Sequence, residues 1–196
     1  MKAVLKKIEG NWDVGYALDK HIVSSTYTGD NEYGYPTFHT VRTEAGEAVY
    51  QLKYRSDWDQ VEPLADAVVQ HIVPNLGPIG LVIPVPASKT RTRQPVYEVA
   101  QAVAKKTGVN SFEGIVSKAA AVGEAVALKD LSTKEEKVAA LDGRFTISDT
   151  IKGDGCWNAL VVDDLFDTGA SMEAVCAALR KYPKIGKIYV AALTWK

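Results

Sequence analysis

The sequence predicts an α/β fold, a doubly wound and mostly parallel sheet flanked by helices, and three observations predict it. Residues 80–85 (GLVIPV) and 158–163 (NALVVD) are short apolar runs without alternation, the composition of parallel strands buried on both faces. On either side of the first run lie apolar stripes at helical spacing, Val61, Leu64, Ala65, Val68 and Ile72 before it, then Val96, Val99, Ala100, Val103 and Ala104 after it. From residue 47 onward strands and helices alternate, which favours parallel pairing through right-handed crossovers.

Taken in order, residues 1–46 are rich in Gly, Tyr and Thr. They carry turn signals at Thr28-Gly29-Asp30-Asn31 and Tyr33-Gly34-Tyr35-Pro36. They read as short antiparallel strands and loops, a small β-rich hood over one end of a main domain at 47–196. Residues 48–54 (AVYQLKY) alternate like a strand. Asp57 or Asp59 caps the next helix, and Pro74 closes it. Pro95 suits the first turn of the helix after the 80–85 strand. Phe112 to Val116 reads as a short strand. Residues 117–130, with Gly123 among alanines, have no period and read as a mobile loop. Ser132 with Glu135 makes a capping box for a short helix to Leu141. Arg144–Ile147 is a candidate strand, about 170 to 182 a helix, and 187–194 the last strand.

Composition narrows the class. The chain has 196 residues with 23 Lys+Arg and 24 Asp+Glu, a net charge of −1, and is 46% hydrophobic. That balance excludes disorder and gives no signal for nucleic acid or a membrane surface. Two cysteines are too few for a disulfide framework or a four-ligand zinc site. Cys176 keeps helical spacing with Met172, Val175 and Leu179, as a core residue does. The opening MKAVLKKIEGNWDVG lacks the apolar run of a signal peptide, and no stretch is long enough for a membrane span, so a cytoplasmic location is expected. His21, His39 and His71 show no metal spacing.

The chemistry is carried by Ala159-Leu160-Val161-Val162-Asp163-Asp164-Leu165-Phe166-Asp167-Thr168-Gly169-Ala170-Ser171. A buried strand ends in two carboxylates, and a short loop feeds a helix. Thr168, Gly169, Ala170 and Ser171 offer open backbone N–H groups, two hydroxyls and a positive helix N-terminus, which suit a phosphate monoester. Asp163 and Asp164 accept hydrogen bonds only, and so fit a ribose diol or a magnesium ion shared with it. A diol reader beside a phosphate cradle describes a ribose 5-phosphate pocket. A response-regulator-like reading accounts for acidic strand ends but leaves Thr168–Ser171 without a role.

This string resembles the signature of the type I phosphoribosyltransferases: four apolar residues, two acidic residues, two variable residues, then a residue (here Asp167) followed by Thr-Gly and a small hydroxyl residue. Over residues 47–196 the chain is similar, more narrowly, to the ComF-like group. The supporting pieces are Leu52-Lys53-Tyr54-Arg55-Ser56-Asp57, Ile83-Pro84-Val85-Pro86 and Leu131-Ser132 with Leu141-Asp142-Gly143-Arg144-Phe145. No cysteine precedes Cys156, so neither the four-cysteine zinc module of many relatives nor the cysteine nucleophile of a glutaminase domain is expected.

The resemblance implies a type I phosphoribosyltransferase-like fold, phosphoribosyl pyrophosphate (PRPP) as co-substrate and Mg2+ held by Asp163 and Asp164. The 5′-phosphate falls to Asp167, Thr168, Gly169, Ala170 and Ser171. Pyrophosphate falls to the loop with Ala87, Ser88, Lys89, Arg91 and Arg93, whose cations suit a highly charged leaving group. Lys53 and Arg55 are candidate cations of the same cleft, and Lys118 and Lys129 candidates that reach it when the 117–130 loop closes. Asp167 has two candidate roles, acid/base catalysis on an acceptor nitrogen or capping of the phosphate loop. Tyr27, Tyr33, Tyr35 and Phe38 are candidate base-stacking residues of the hood. The expected reaction transfers ribose 5-phosphate to a nucleobase or amine nitrogen, in a homodimer as is usual for the superfamily. The alternative is a non-catalytic PRPP or nucleotide sensor with a regulatory or competence-type role.

Overall fold

A computed structural model describes residues 1–87, 91–119, 133, 136, 138, 141 and 143–196. Strands β1 (Lys6–Lys7), β2 (Val14–Lys20), β3 (Ile22–Asp30), β4 (Pro36–Arg42), β5 (Leu81–Pro84), β6 (Asn110–Ser111), β7 (Val116–Lys118), β8 (Phe145–Ile147), β9 (Trp157–Phe166) and β10 (Ile185–Trp195) form three sheets among these residues. The large one has the order β1-β2-β10-β9-β5-β6, with β1 antiparallel and the remaining neighbours parallel. Hairpin β3–β4 and pair β7–β8 stand apart.

Helices cover both faces, as a parallel sheet requires. Leu160 and Val162 of β9 face α1 (Glu44–Tyr54), α2 (Val61–Ala67) and α3 (Pro95–Thr107). Ala159 and Val161 face α4 (Ala170–Leu179) and the side chains of Ile115, Val116, Phe145, Ile147 and Ile151. All four are fully buried, and burying each large one stabilises the fold by about 1.5–3 kcal/mol. Helix α4 turns Met172, Val175, Cys176 and Leu179 inward, so Cys176 is a core residue as its spacing predicts. Helix α3 starts on Pro95 and ends on Gly108 in the left-handed region.

Two expectations are corrected. Residues 48–54 are the last part of helix α1 rather than a strand. Thr43 caps it by accepting from Gly46 N at 3.0 Å, and Ala45, Ala48, Val49 and Leu52 form the buried stripe. A side chain at 46 would meet the His21 carbonyl oxygen, so glycine lets the helix lie close on the chain leaving β2. Residues 1–46 are also not one appended layer: β1 and β2 belong to the main sheet, with β2 parallel to β10, and β3–β4 alone stands outside it.

Smaller differences follow local chemistry. The expected helix before Pro74 is a 3-10 turn at Trp58–Gln60, then α2, then a wider turn over Val68–Ile72 and a final 3-10 turn at Val73–Asn75. Phe112 lies between β6 and β7 rather than in a strand. Ser132 and Glu135 lie outside the described residues, but Thr133 and Glu136 exchange two bonds of a capping box, Thr133 N to Glu136 Oε2 at 3.0 Å and Glu136 N to Thr133 Oγ1 at 3.1 Å. Among the described residues no helix is long and apolar enough to cross a membrane.

Candidate active site

The order in which strands are added to the sheet reverses between the parallel neighbours β5 and β9. From β5 the chain moves outward to β6, and from β9 it moves the other way to β10. Such a switch point opens a crevice at the carboxyl ends of the strands. Here β5 stops at Pro84, paired with Val162, and Val85 N donates to Val162 O at 2.9 Å. Beyond that residue β9 runs on to Phe166 with β10 along one edge, and the cleft opens along the other.

Strand alternation then divides the carboxylates. Asp163 follows Val161 toward α4 and lines a recess of about 260 Å3 with Asp167, Thr168, Gly169, Ala170 and Ser171. Asp164 follows Val162 toward α1, where its carboxylate pairs with the Lys53 ammonium. A second recess of about 430 Å3 is lined by Lys53, Ala87, Arg91, Lys118, Asp163 and Asp164, among others, and shares Asp163 and Ser171 with the first. Asp163 therefore stands where the two recesses meet, and Asp164 faces the cations of the second.

The Thr168–Ser171 loop is set by its own backbone. Gly169, at φ +82°, is the N-cap of α4, and Glu173 N donates to Gly169 O at 2.8 Å. Behind the carboxylates, buried Thr194 donates to Asp164 O at 2.8 Å and lies 3.1 Å from His21 Nδ1. Asp164 N donates to Asp163 Oδ1 at 2.8 Å.

The electrostatics follow. Burial, then the Asp164 charge, push Asp163 up to about 7, against the Asp164 amide, Lys53 and Lys118. Burial opposes the charge of Lys53, but Asp164 outweighs it through attraction and a hydrogen bond, so its pKa is raised. Lys118 is lowered by burial and by Arg144, with Asp163 opposing.

A raised carboxyl pKa makes a contribution to stability that is full below the ordinary value of 3.8 and lost as pH climbs toward about 7. Asp163→Asn is therefore expected to raise the Tm of the ligand-free protein at pH 8 by about 3 °C or more, a gain that shrinks as pH falls to 5. A Tm difference independent of pH, in calorimetric melts of both proteins, would contradict that charge burden.

Other expected site residues fall differently. Arg93 turns away from the cleft, paired with Glu98 at 2.7 Å and with its guanidinium 4.1 Å from the centroid of the Trp58 ring. Arg55 is exposed at the C-cap of α1, 5.9 Å from the Tyr50 ring, and lines neither recess. Ser88, Lys89, Lys129 and most of the 117–130 loop lie outside the described residues. Tyr27, Tyr33, Tyr35 and Phe38 are exposed on the β3–β4 hairpin and its turn, and none lines either recess. Asp167 is exposed on the phosphate recess.

Lys196 also lines the phosphate recess, held by its amide to Phe166 O at 3.0 Å. It reaches the site through the β9–β10 register, which no local pattern at residue 196 signals. Among the described residues no group of three or more His, Cys, Asp or Glu is placed to hold a metal ion. Two carboxylates alone fit a Mg2+ that brings further oxygen ligands with its substrate.

No family model and no curated protein matches the sequence. Among solved structures, the chain is similar to adenine phosphoribosyltransferase from Saccharomyces cerevisiae, at 15% identity over 87% of this chain and 84% of that one, with a TM-score of 0.46. It is similar to adenine phosphoribosyl transferase from Trypanosoma brucei, solved with AMP, pyrophosphate and ribose-5-phosphate, at 14% identity over 98% and 74%, TM-score 0.49. The Leishmania donovani UMP synthase follows at 11% identity over 85% and 28%, TM-score 0.37.

Proposed function

We propose that this chain is a phosphoribosyltransferase that binds PRPP and transfers its ribose 5-phosphate to a nitrogen acceptor, releasing pyrophosphate. The observation that carries this is the meeting of the two recesses at Asp163 and Ser171, with Asp164 lining the second beside them. In this reading, backbone N–H groups and hydroxyls of Thr168–Ser171 hold the 5′-phosphate, with Lys196 alongside. Asp163 and Asp164 accept from the ribose hydroxyls. Lys53, Arg91 and Lys118, together with the Ala87 backbone, face the pyrophosphate.

Bond breaking at the anomeric carbon leaves positive charge on the ribose and negative charge on the leaving group. Carboxylates on one side and cations on the other match both, so catalysis comes from positioning and fixed charge. Mg2+, carried on substrate oxygens and held by Asp163 and Asp164, would neutralise part of the pyrophosphate charge. Asp167 borders the phosphate recess as a candidate proton acceptor for the incoming nitrogen. The pieces shared with the ComF-like group favour that branch, and a cytoplasmic location goes with it.

The test is direct. Protein, Mg2+, PRPP and a panel of nucleobases and amines are incubated, and pyrophosphate is measured. Release that depends on one acceptor is the expected result. No release with any acceptor, combined with tight nucleotide binding, would replace the enzyme with a sensor.

A further inference from the structure

The contact between Lys53 and Asp164 lies inside the cleft that the proposed reaction needs open. Lys53 sits on the last turn of α1, and both partners line the same recess. Their side chains are 31% and 15% exposed, so the pair is partly withdrawn from water. Two adjacent carboxylates in a half-buried cleft need a cation close by. With no third acidic or histidine ligand grouped there among the described residues, the chain supplies that cation itself.

The backbone of Lys53 is tied down while its stem is long. Lys53 O accepts from Arg91 Nη1 at 3.0 Å, and Arg55 N donates to Gln51 O at 3.0 Å to close the helix. The α-carbon of Lys53 is thereby fixed to the wall that carries Arg91. A four-carbon stem then lets the ammonium swing between Asp164 and an anion beside Arg91 without moving the main chain.

We propose that Lys53 is the resident counter-ion of Asp164, and that a divalent cation and Lys53 exchange there when an anionic substrate arrives to take the lysine. This rests on the phosphoribosyl reading for the identity of that substrate, and on the ion pair alone for the exchange. The two cations compete for the same carboxylate, so the empty cleft resists divalent ions. An incoming pyrophosphate group draws the ammonium toward Arg91 and frees Asp164. Lys53 thus couples the arrival of metal to the arrival of substrate, as a positioning residue.

Mn2+ alone is the probe, its free fraction followed by electron paramagnetic resonance at pH 8, with PRPP binding measured separately by calorimetry. Lys53→Met is expected to bind Mn2+ roughly tenfold more tightly than the unaltered protein, the equivalent of one charge-assisted contact removed. The same variant is expected to bind PRPP at least about tenfold more weakly. Lys53→Arg is expected to restore weak Mn2+ binding. Opposite signs for metal and substrate are the signature, because a loss of packing weakens both.

Lys53→Gln serves in the same comparison should circular dichroism show Lys53→Met unfolded. Mn2+ affinity unchanged or weakened in a folded neutral variant overturns the exchange, whatever PRPP does. PRPP failing to bind the unaltered protein overturns the phosphoribosyl reading instead, and the Mn2+ comparison still decides whether Lys53 holds the metal off.

Discussion

Asp164→Asn is expected to weaken PRPP binding by about a hundredfold or more while the protein stays folded. Asparagine keeps the shape of the side chain and its carbonyl oxygen, but gives up the charge that makes its hydrogen bonds to ribose hydroxyls strong. Contacts to charged groups contribute about 1.5–3 kcal/mol each, and a diol makes two. The loss in the ligand-free protein is far smaller. Lys53 gives up its partner but is 31% exposed, so water replaces much of the contact. The Asp164 charge is also the second cause of the raised Asp163 pKa, so its removal relieves a neighbour.

Titration calorimetry with PRPP and Mg2+ reads the first effect, and thermal melts read the second. Asp66→Asn is the control, since Asp66 pairs with Lys106 at 2.7 Å on an exposed face. Unchanged PRPP affinity in Asp164→Asn removes Asp164 from the ribose site. A collapse of the fold instead makes it a structural residue.

What could be read from the sequence divides along a physical line. Strands β5, β9 and β10 and helices α3 and α4 were legible because their residues state their environment locally. Leu81–Pro84 is apolar throughout because it is buried on both faces, and Met172, Val175, Cys176 and Leu179 sit a turn apart because one face is buried. The strand-to-helix turn at Thr168–Ser171 was legible for the same reason, since Gly169 and the hydroxyls beside it mark it in the string.

Pairing over long separations was not legible. Nothing in Val14–Lys20 says that it lies beside Tyr189–Trp195, because β propensity names no partner. Helix α1 was misread because a window opening at Ala48 omits Thr43, Ala45 and Gly46. Those residues hold its cap and first turn, and Gly46 looks like a loop residue until the His21 carbonyl above it is seen. Cation placement failed in part for a third reason. Arg91 and Arg93 are two residues apart on one loop, yet one caps Lys53 and the other stacks on Trp58. Spacing gave the charge of the loop, and only packing shows which side chain faces the cleft.

The divided carboxylates show how the two levels meet. Read as a string, Asp163-Asp164 is one acidic patch that holds one diol. Placed in a strand, alternate residues must face opposite ways, so one carboxylate goes with α4 and the phosphate recess and the other with α1 and Lys53. Both nevertheless line one recess because β5 ends at Pro84 and leaves the edge of β9 open.

The loop that follows gives the second large expected effect, from Gly169→Ala. Gly169 stands at φ +82°, where an L side chain costs about 1–2 kcal/mol. An added methyl would also lie 3.0 Å and 3.1 Å from Cε2 and Cζ of Phe166. That ring is not free to yield. It packs edge-on against Trp12, with centroids 6.2 Å apart at 85°, and buried Trp12 donates through Nε1 to Ile8 O at 3.0 Å. Strain is therefore relieved by unwinding the turn, which withdraws the N–H groups of Ala170 and Ser171 from the recess.

A Tm fall of about 4–8 °C and a loss of ribose 5-phosphate binding of at least about tenfold are expected together. Gly108→Ala separates the two. Gly108 has φ +73° with nothing within 4 Å of the added methyl, and it ends α3 away from both recesses. It carries the backbone penalty without the collision, so it should lower the Tm and leave ligand affinity intact. Equal ligand affinity in Gly169→Ala and Gly108→Ala would mean that the turn before α4 is a packing feature and that phosphate is held elsewhere.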